Sequence, residues 1–173
     1  MIHAPSLGCH SRDSKARTRL VAVAFLSICG STLAAVAPET PTPPTAGWTA
    51  AGQTAVSAPF TSCWSTPSAG SQRLTVCADG VGPSCDTGSR TERLSLPSAR
   101  AATVRVVLGF VPKAVWVTLT PTGGTGHDIR LRARRSPRVR VPADFTGTVT
   151  VFAPARQGGD AAYGICLERA SAG

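Results

Sequence analysis

From residue 60 onward, apolar and polar residues alternate with a period of two. Val104, Val106 and Leu108 fall on one face of a short segment, and Val115, Val117 and Leu119 on one face of the next. Tyr163, Ile165 and Leu167 repeat the pattern near the end of the chain. Successive side chains of a strand point to opposite faces, so this alternation marks strands with one buried face. It predicts strands at 73–78, 93–96, 103–109, 114–120, 128–134, 138–141, 147–153 and 162–168. Each is short, rich in Val and Thr, and bounded by Gly, Pro or Asp. No window of helical length shows the helical period. About eight short strands predict an all-β domain over 60–173, a small antiparallel β-sandwich or jelly roll.

The pattern fails upstream. Residues 38–59, "PETPTPPTAGWTAAGQTAVSAP", are dominated by Pro, Thr and Ala and read as a tether. Before them, Arg12, Lys15, Arg17 and Arg19 precede the uncharged run "LVAVAFLSICGSTLAAVA" at 20–37. A basic region followed by an apolar run predicts a secretory signal over 1–37. Cleavage fits after Ala34; after Ala37 it would leave Pro38 directly behind the cut. Two other fates stay open. "LSIC", ending at Cys29, resembles a lipobox and implies a lipid anchor there, although Ile28 departs from the small residue usual before that Cys. The run also reaches the lower limit of about 17 residues for a bilayer span, which would make it a weak anchor. The expected location is secreted or cell-surface associated.

Composition adds charge to this picture. The chain has 18 Lys and Arg against 9 Asp and Glu, and nearly all of the positive charge is Arg. It contains no Asn, which removes any N-x-S/T glycosylation site. This bias resembles that of exported proteins of high-GC actinobacteria. Beyond the signal region stand Cys63, Cys77, Cys85 and Cys166, an even number that predicts two disulfides in an oxidising compartment. The expected pairs are Cys77–Cys85, closing the "ADGVGPS" loop, and Cys63–Cys166. Cys77–Cys166 is the alternative, since both sit on the more polar face of their strands. The cysteine spacing is not that of a zinc site, and His127 is the one histidine in this part of the chain, so no metal or cofactor is expected.

Three short stretches invite a chemical reading. "CDTGS" at 85–89 resembles the active-site motif of aspartic proteases, whose retroviral-type members carry one copy per small chain. The resemblance implies Asp86 as the catalytic carboxylate, with Thr87 and Gly88 shaping its turn, and "VVLG" at 106–109 is similar to a second element of that family. The family motif follows a buried apolar strand, where two carboxylates share a proton. Here the turn-like "GPSC" precedes Asp86. "TGGTGHD" at 122–128 lacks both the G-K-[ST] ending and the helix of a phosphate loop, and reads as a strand connection. Trp116, between Val115 and Val117, either packs in the core or faces outward, where it could stack on a sugar.

"HDIRLRARRSPRVRV", residues 127–141, holds six arginines in fifteen positions. If its two strands pair, Arg130, Arg132, Arg134, Arg138 and Arg140 share one face. A tight hairpin through Arg135-Ser136-Pro137 would set Arg134 opposite Arg138 and Arg132 opposite Arg140. Like charges directly opposite cost a few tenths of a kcal/mol or more, and Pro137 fits badly where a left-handed residue is wanted. A looser loop would cross to the other sheet and split the arginines. The segment is then either a solvated face or a site for a polyanion: an anionic wall polymer, a lipid headgroup surface or a nucleic acid. The expected function is non-enzymatic, that of an exported binding or structural envelope protein of unassigned ligand; the solvated face is the favoured reading of this segment, and a polyanion site on it is the other. The alternatives are a small disulfide-stabilised protease inhibitor presenting loop 78–90, and an aspartic-protease-like enzyme acting through Asp86.

Overall fold

A computed structural model describes residues 41–67, 73–97 and 100–170. The expected export signal, with Cys29 and its cleavage sites, lies outside the described residues. Among the described residues there are eleven strands and no helix. In chain order they are β1 (Ala46–Ala50), β2 (Gln53–Ser57), β3 (Thr61–Pro67), β4 (Arg73–Asp79), β5 (Arg93–Leu96) and β6 (Ala102–Leu108), followed by β7 (Val115–Pro121), β8 (His127–Leu131), β9 (Arg138–Val141), β10 (Gly147–Pro154) and β11 (Gly159–Arg169). A small sheet runs β2-β1-β6-β9 and a large one β4-β3-β11-β10-β7-β8, all antiparallel. β5 adds to the large sheet as a parallel neighbour of the C-terminal half of β11.

The two sheets bury the apolar stripes read from the sequence. Val104, Val106, Leu108, Val139 and Val141 come from the small sheet, and Val115, Val117, Val149, Val151, Ile165 and Leu167 from the large one. The largest contributors, Trp48 and Tyr163, are fully buried. Each carries one polar atom that burial would strand, and each finds a partner. Trp48 Nε1 donates to Ser57 Oγ at 2.8 Å, and the Tyr163 hydroxyl donates to the Pro44 carbonyl at 2.6 Å.

Residues 46–57, expected as part of a tether, are therefore strands of the sandwich. Ala46, Trp48 and Ala50 face inward. The β1–β2 turn is Ala51-Gly52, both with positive φ, the mirror-image turn that matches strand twist. Asn-Gly is the usual signal for such a turn, and this chain has no Asn to supply it. β3 was also not predicted.

Both disulfides differ from the expected pairs: Cys63 joins Cys77 and Cys85 joins Cys166. Cys63 and Cys77 are direct cross-strand partners. The β3–β4 ribbon carries little apolar cover, and β4 is exposed almost throughout, so the crosslink holds where a core does not. Cys166 points to the outer face of β11, where loop 80–92 lies over it. That loop approaches so closely that a Cβ on Gly164 would overlap Pro83. An expectation based on short loop closure missed that the loop folds back over β11.

Two measurements check this account. In the chain-entropy model, loops of 14 and 81 residues are worth about 3 and about 4.5 kcal/mol. Replacing Cys85 and Cys166 by Ala should therefore destabilise more than replacing Cys63 and Cys77, and peptide mapping should recover these pairs. Tyr163 supplies the second. Burial pushes its phenol well above the ordinary range, so the folded state holds the neutral form. Stability should be intact below about pH 10, the ordinary phenol pKa, and fall as pH rises above it. Tyr163 is the only tyrosine, so tyrosinate absorbance should appear together with unfolding. Tyr163→Phe should remove that linkage and cost about 1–2 kcal/mol at neutral pH. Tyrosinate forming in the intact fold would contradict it.

Candidate functional site on the small sheet

Inward residues alternate with outward ones, so the core fixes what the outer face of the small sheet presents. With Trp48, Ala55, Val104, Val106, Val139 and Val141 turned in, Thr49, Thr54, Thr103, Arg105, Arg138 and Arg140 turn out. The pairing places them in rows. One row runs Thr54–Thr49–Arg105–Arg138. Beside it runs Val56–Gly47–Val107, where glycine leaves a gap between two exposed valines, 59% and 41% accessible. Thr103 and Arg140 form a third.

This face carries positive charge without compensation. None of β1, β2, β6 and β9 contains Asp or Glu. Among the described residues the one ion pair joins Arg93 to Glu168, in the other sheet. Arg105 and Arg138 are direct cross-strand neighbours, which puts their Cβ atoms about 5 Å apart. Arg138 and Arg140 are two residues apart on one strand, about 7 Å. Arg105 Nε donates to Ser136 Oγ at 2.7 Å, which orients its guanidinium.

The five arginines of the expected site are not brought together. β8 pairs with β7 and β9 pairs with β6, so the 127–141 segment is not a hairpin but a crossing between sheets. Arg138 and Arg140 lie on the small sheet. Arg130 lies on the outer face of the large sheet, its guanidinium 5.9 Å from the Trp116 ring centre. Arg132 and Arg134 are exposed on the crossing itself. The like-charge opposition that argued against the hairpin is not avoided; it is moved to Arg105 and Arg138. Arg105 was missed because it lies outside the arginine-rich run. The signal available was its outward place in the alternation "TVRVVL".

The other candidates are placed as follows. Asp86 is exposed on the turn after Cys85, and its carboxylate accepts from Ser84 Oγ at 2.5 Å. Arg93 donates to the carbonyls of Cys85 and Asp86, so the "DTG" turn serves to anchor a loop, without the dry surroundings a proton-sharing carboxylate needs. Loop 80–92 lies back on β11 through Pro83 and Cys85 rather than standing clear as an extended inhibitory segment would. His127 is exposed, and Asp128 accepts from Thr118 Oγ1 at 2.6 Å. A cleft of about 420 Å³ lies between residues 56–60 and loop 81–92. Its hydroxyls are already engaged: Thr91 with Ser84 N and Ser89, and Ser57 with Trp48. Among the described residues no helix is long and apolar enough to cross a membrane.

Comparison with known proteins finds no matching family model, no matching curated protein and no matching solved structure.

The Arg105–Arg138 opposition has a cost that can be measured. Arg138→Thr replaces one charge with a good strand former. It should stabilise the fold by a few tenths of a kcal/mol at low salt, with the gain shrinking as salt screens the pair. Destabilisation, or a gain independent of salt, would show that the two guanidinium groups do not repel.

Proposed function

We propose that this is an exported, non-enzymatic binding module of the cell envelope, and that it holds an anionic wall polymer on the outer face of the small sheet. The observation that carries the reading is the set Arg105, Arg138 and Arg140 on β6 and β9, in a four-stranded sheet whose strands contain no carboxylate. Repulsion between adjacent arginines is relieved when an anion sits between them. Arginine suits this task because its planar fork grips a phosphate or carboxylate through two hydrogen bonds and never loses its charge. Thr49, Thr54 and Thr103 add hydroxyls to the same face. The Val56–Gly47–Val107 row gives the carbon skeleton of a polymer an apolar bed beside the charged row. Export is supported by the basic and apolar segments at the N-terminus and by two disulfides, which belong to an oxidising environment. Attachment at the surface through Cys29 is compatible with the same reading.

The test compares two variants of equal charge loss on heparin. One carries Arg105→Gln with Arg138→Gln. The other carries Arg73→Gln with Arg156→Gln, on β4 and in the turn between β10 and β11. A positive chain attracts any polyanion weakly, so the difference between the variants is what counts. The first should lose most of the affinity. It should also flatten the dependence of log K on log salt, by about 0.7–0.9 per contact if a nucleic-acid strand is the probe. Equal, small losses with both folds intact would mean that the small sheet carries only solvated charge.

A further inference from the structure

The outer face of the large sheet is mostly small or hydroxylic, with Thr148, Thr150, Thr118 and Thr120 on neighbouring strands β10 and β7. One row breaks this rule. Phe152, Trp116 and Arg130 are consecutive cross-strand partners on β10, β7 and β8. The two rings lie 5.7 Å apart at a tilt of 36°, and Arg130 lies over the indole. Neither ring belongs to the core. Phe152 is 39% accessible and Trp116 half-buried, so the row offers aromatic carbon to solvent. A strand this close to the centre of a sheet needs no aromatic on its solvent side to fold. The adjacent row is Thr150–Thr118–Asp128, with the Thr118 hydroxyl bonded to Asp128 Oδ1 at 2.6 Å. Arg130 makes no ion pair among the described residues.

We infer that this row is a binding site for the ring of an acidic sugar, separate from the anionic-polymer face and on the opposite side of the sandwich. The apolar C–H face of a pyranose packs on exposed aromatic carbon, which Phe152 and the outer part of Trp116 supply with little entropy to lose. Arg130 has its guanidinium over the Trp116 ring, which holds the fork in place and leaves its in-plane N–H groups for the carboxylate of the sugar. Thr150 and Asp128 stand one row away, within reach of ring hydroxyls. The charge decides between sugars. A neutral ring would use the aromatics and leave Arg130 idle, and an acidic ring uses all three.

Tryptophan emission reads the site against two constant contributions, since Trp48 is buried and Trp64, on β3 and outside the row, packs edge-on against Phe110. The probes are oligogalacturonate and oligoglucuronate, with galactose and glucose oligomers of equal length as neutral partners. The acidic oligomers should change the emission of the full chain saturably, and Trp116→Ala should abolish the change. Phe152→Ala and Arg130→Gln, at solvent-facing positions, keep the test alive if Trp116→Ala fails to fold. Arg130→Gln should weaken acidic oligomers by about tenfold, the worth of one charged hydrogen bond, and bring them level with the neutral ones. Arg105→Gln with Arg138→Gln should leave the response unchanged. No saturable change with either acidic oligomer overturns the inference. So does equal binding of neutral and acidic oligomers by the unmodified chain, or a loss in the Arg105 and Arg138 variant in place of the Arg130 variant. That last result assigns the ligand to the small sheet and leaves the polymer reading standing.

Discussion

Tyr163 sits in the middle of the longest strand with no exposed surface, and its hydroxyl has one acceptor, the carbonyl of Pro44. A buried hydroxyl without a partner costs about 1–3 kcal/mol, so the chain before β1 must pass over this point. Once Pro44 is held there, β1 follows directly. Its alternation turns Trp48 inward, and the indole N–H in turn needs Ser57 from β2. Two polar atoms on two large side chains thus draw residues 44–57 into the sandwich. Ser95 N donates a hydrogen bond to Gln53 Oε1, tying the edge strand of the small sheet to β5 of the large one.

The opposite side of the sandwich is closed by the crossing from β8 to β9. Its backbone continues the small sheet beyond β9, since Val106 N donates to the Pro137 carbonyl and Leu108 N to the Arg135 carbonyl. Proline is harmless there, where it offers only an acceptor. This path explains why so many arginines occur in so few residues without forming one patch. Each strand of the segment buries its odd-numbered apolar residues, and each belongs to a different sheet. The even-numbered arginines are therefore pointed in opposite directions by the same alternation that looked as though it would align them.

β6, β7, β9 and β10 were legible because each buries one face only, which writes a period of two into the sequence. β4, exposed almost throughout, and β11, buried on both faces, were found by their Val, Ile and Leu content and their bounding turns. β5 and β9 coincide with the predicted limits, and β11 extends three residues further toward the N-terminus. The hairpin of β1 and β2 was not legible, because small residues such as Ala46, Ala50 and Ala55 supply its inward face and no Asn marks its turn. Disulfide pairing depends on which loops fold back over which strands, and local spacing does not record that. The candidate site shows the same limit. Arg138 and Arg140 could be read as outward, but Arg105 joins them only through strand pairing 33 positions away in the chain, in a register that the sequence does not spell out.

The two sheets also divide the charge in different ways. Every carboxylate on a strand of the large sheet has a structural partner: Asp79 with Thr61, Asp128 with Thr118, Asp160 with the Cys63 amide, and Glu168 with Arg93. These groups pin edges and ribbon ends, where the apolar core is thin. None is free to reach across and neutralise the small sheet. The small sheet needs no such fastening, because its four short strands are held by the fully buried Trp48, Val104 and Val141. Its outer face is thus released from structural duty, and the residues found on it are arginine, threonine and two exposed valines. A face that folding does not use, charged with one sign at a cost in repulsion, is what the proposed anionic-polymer site rests on.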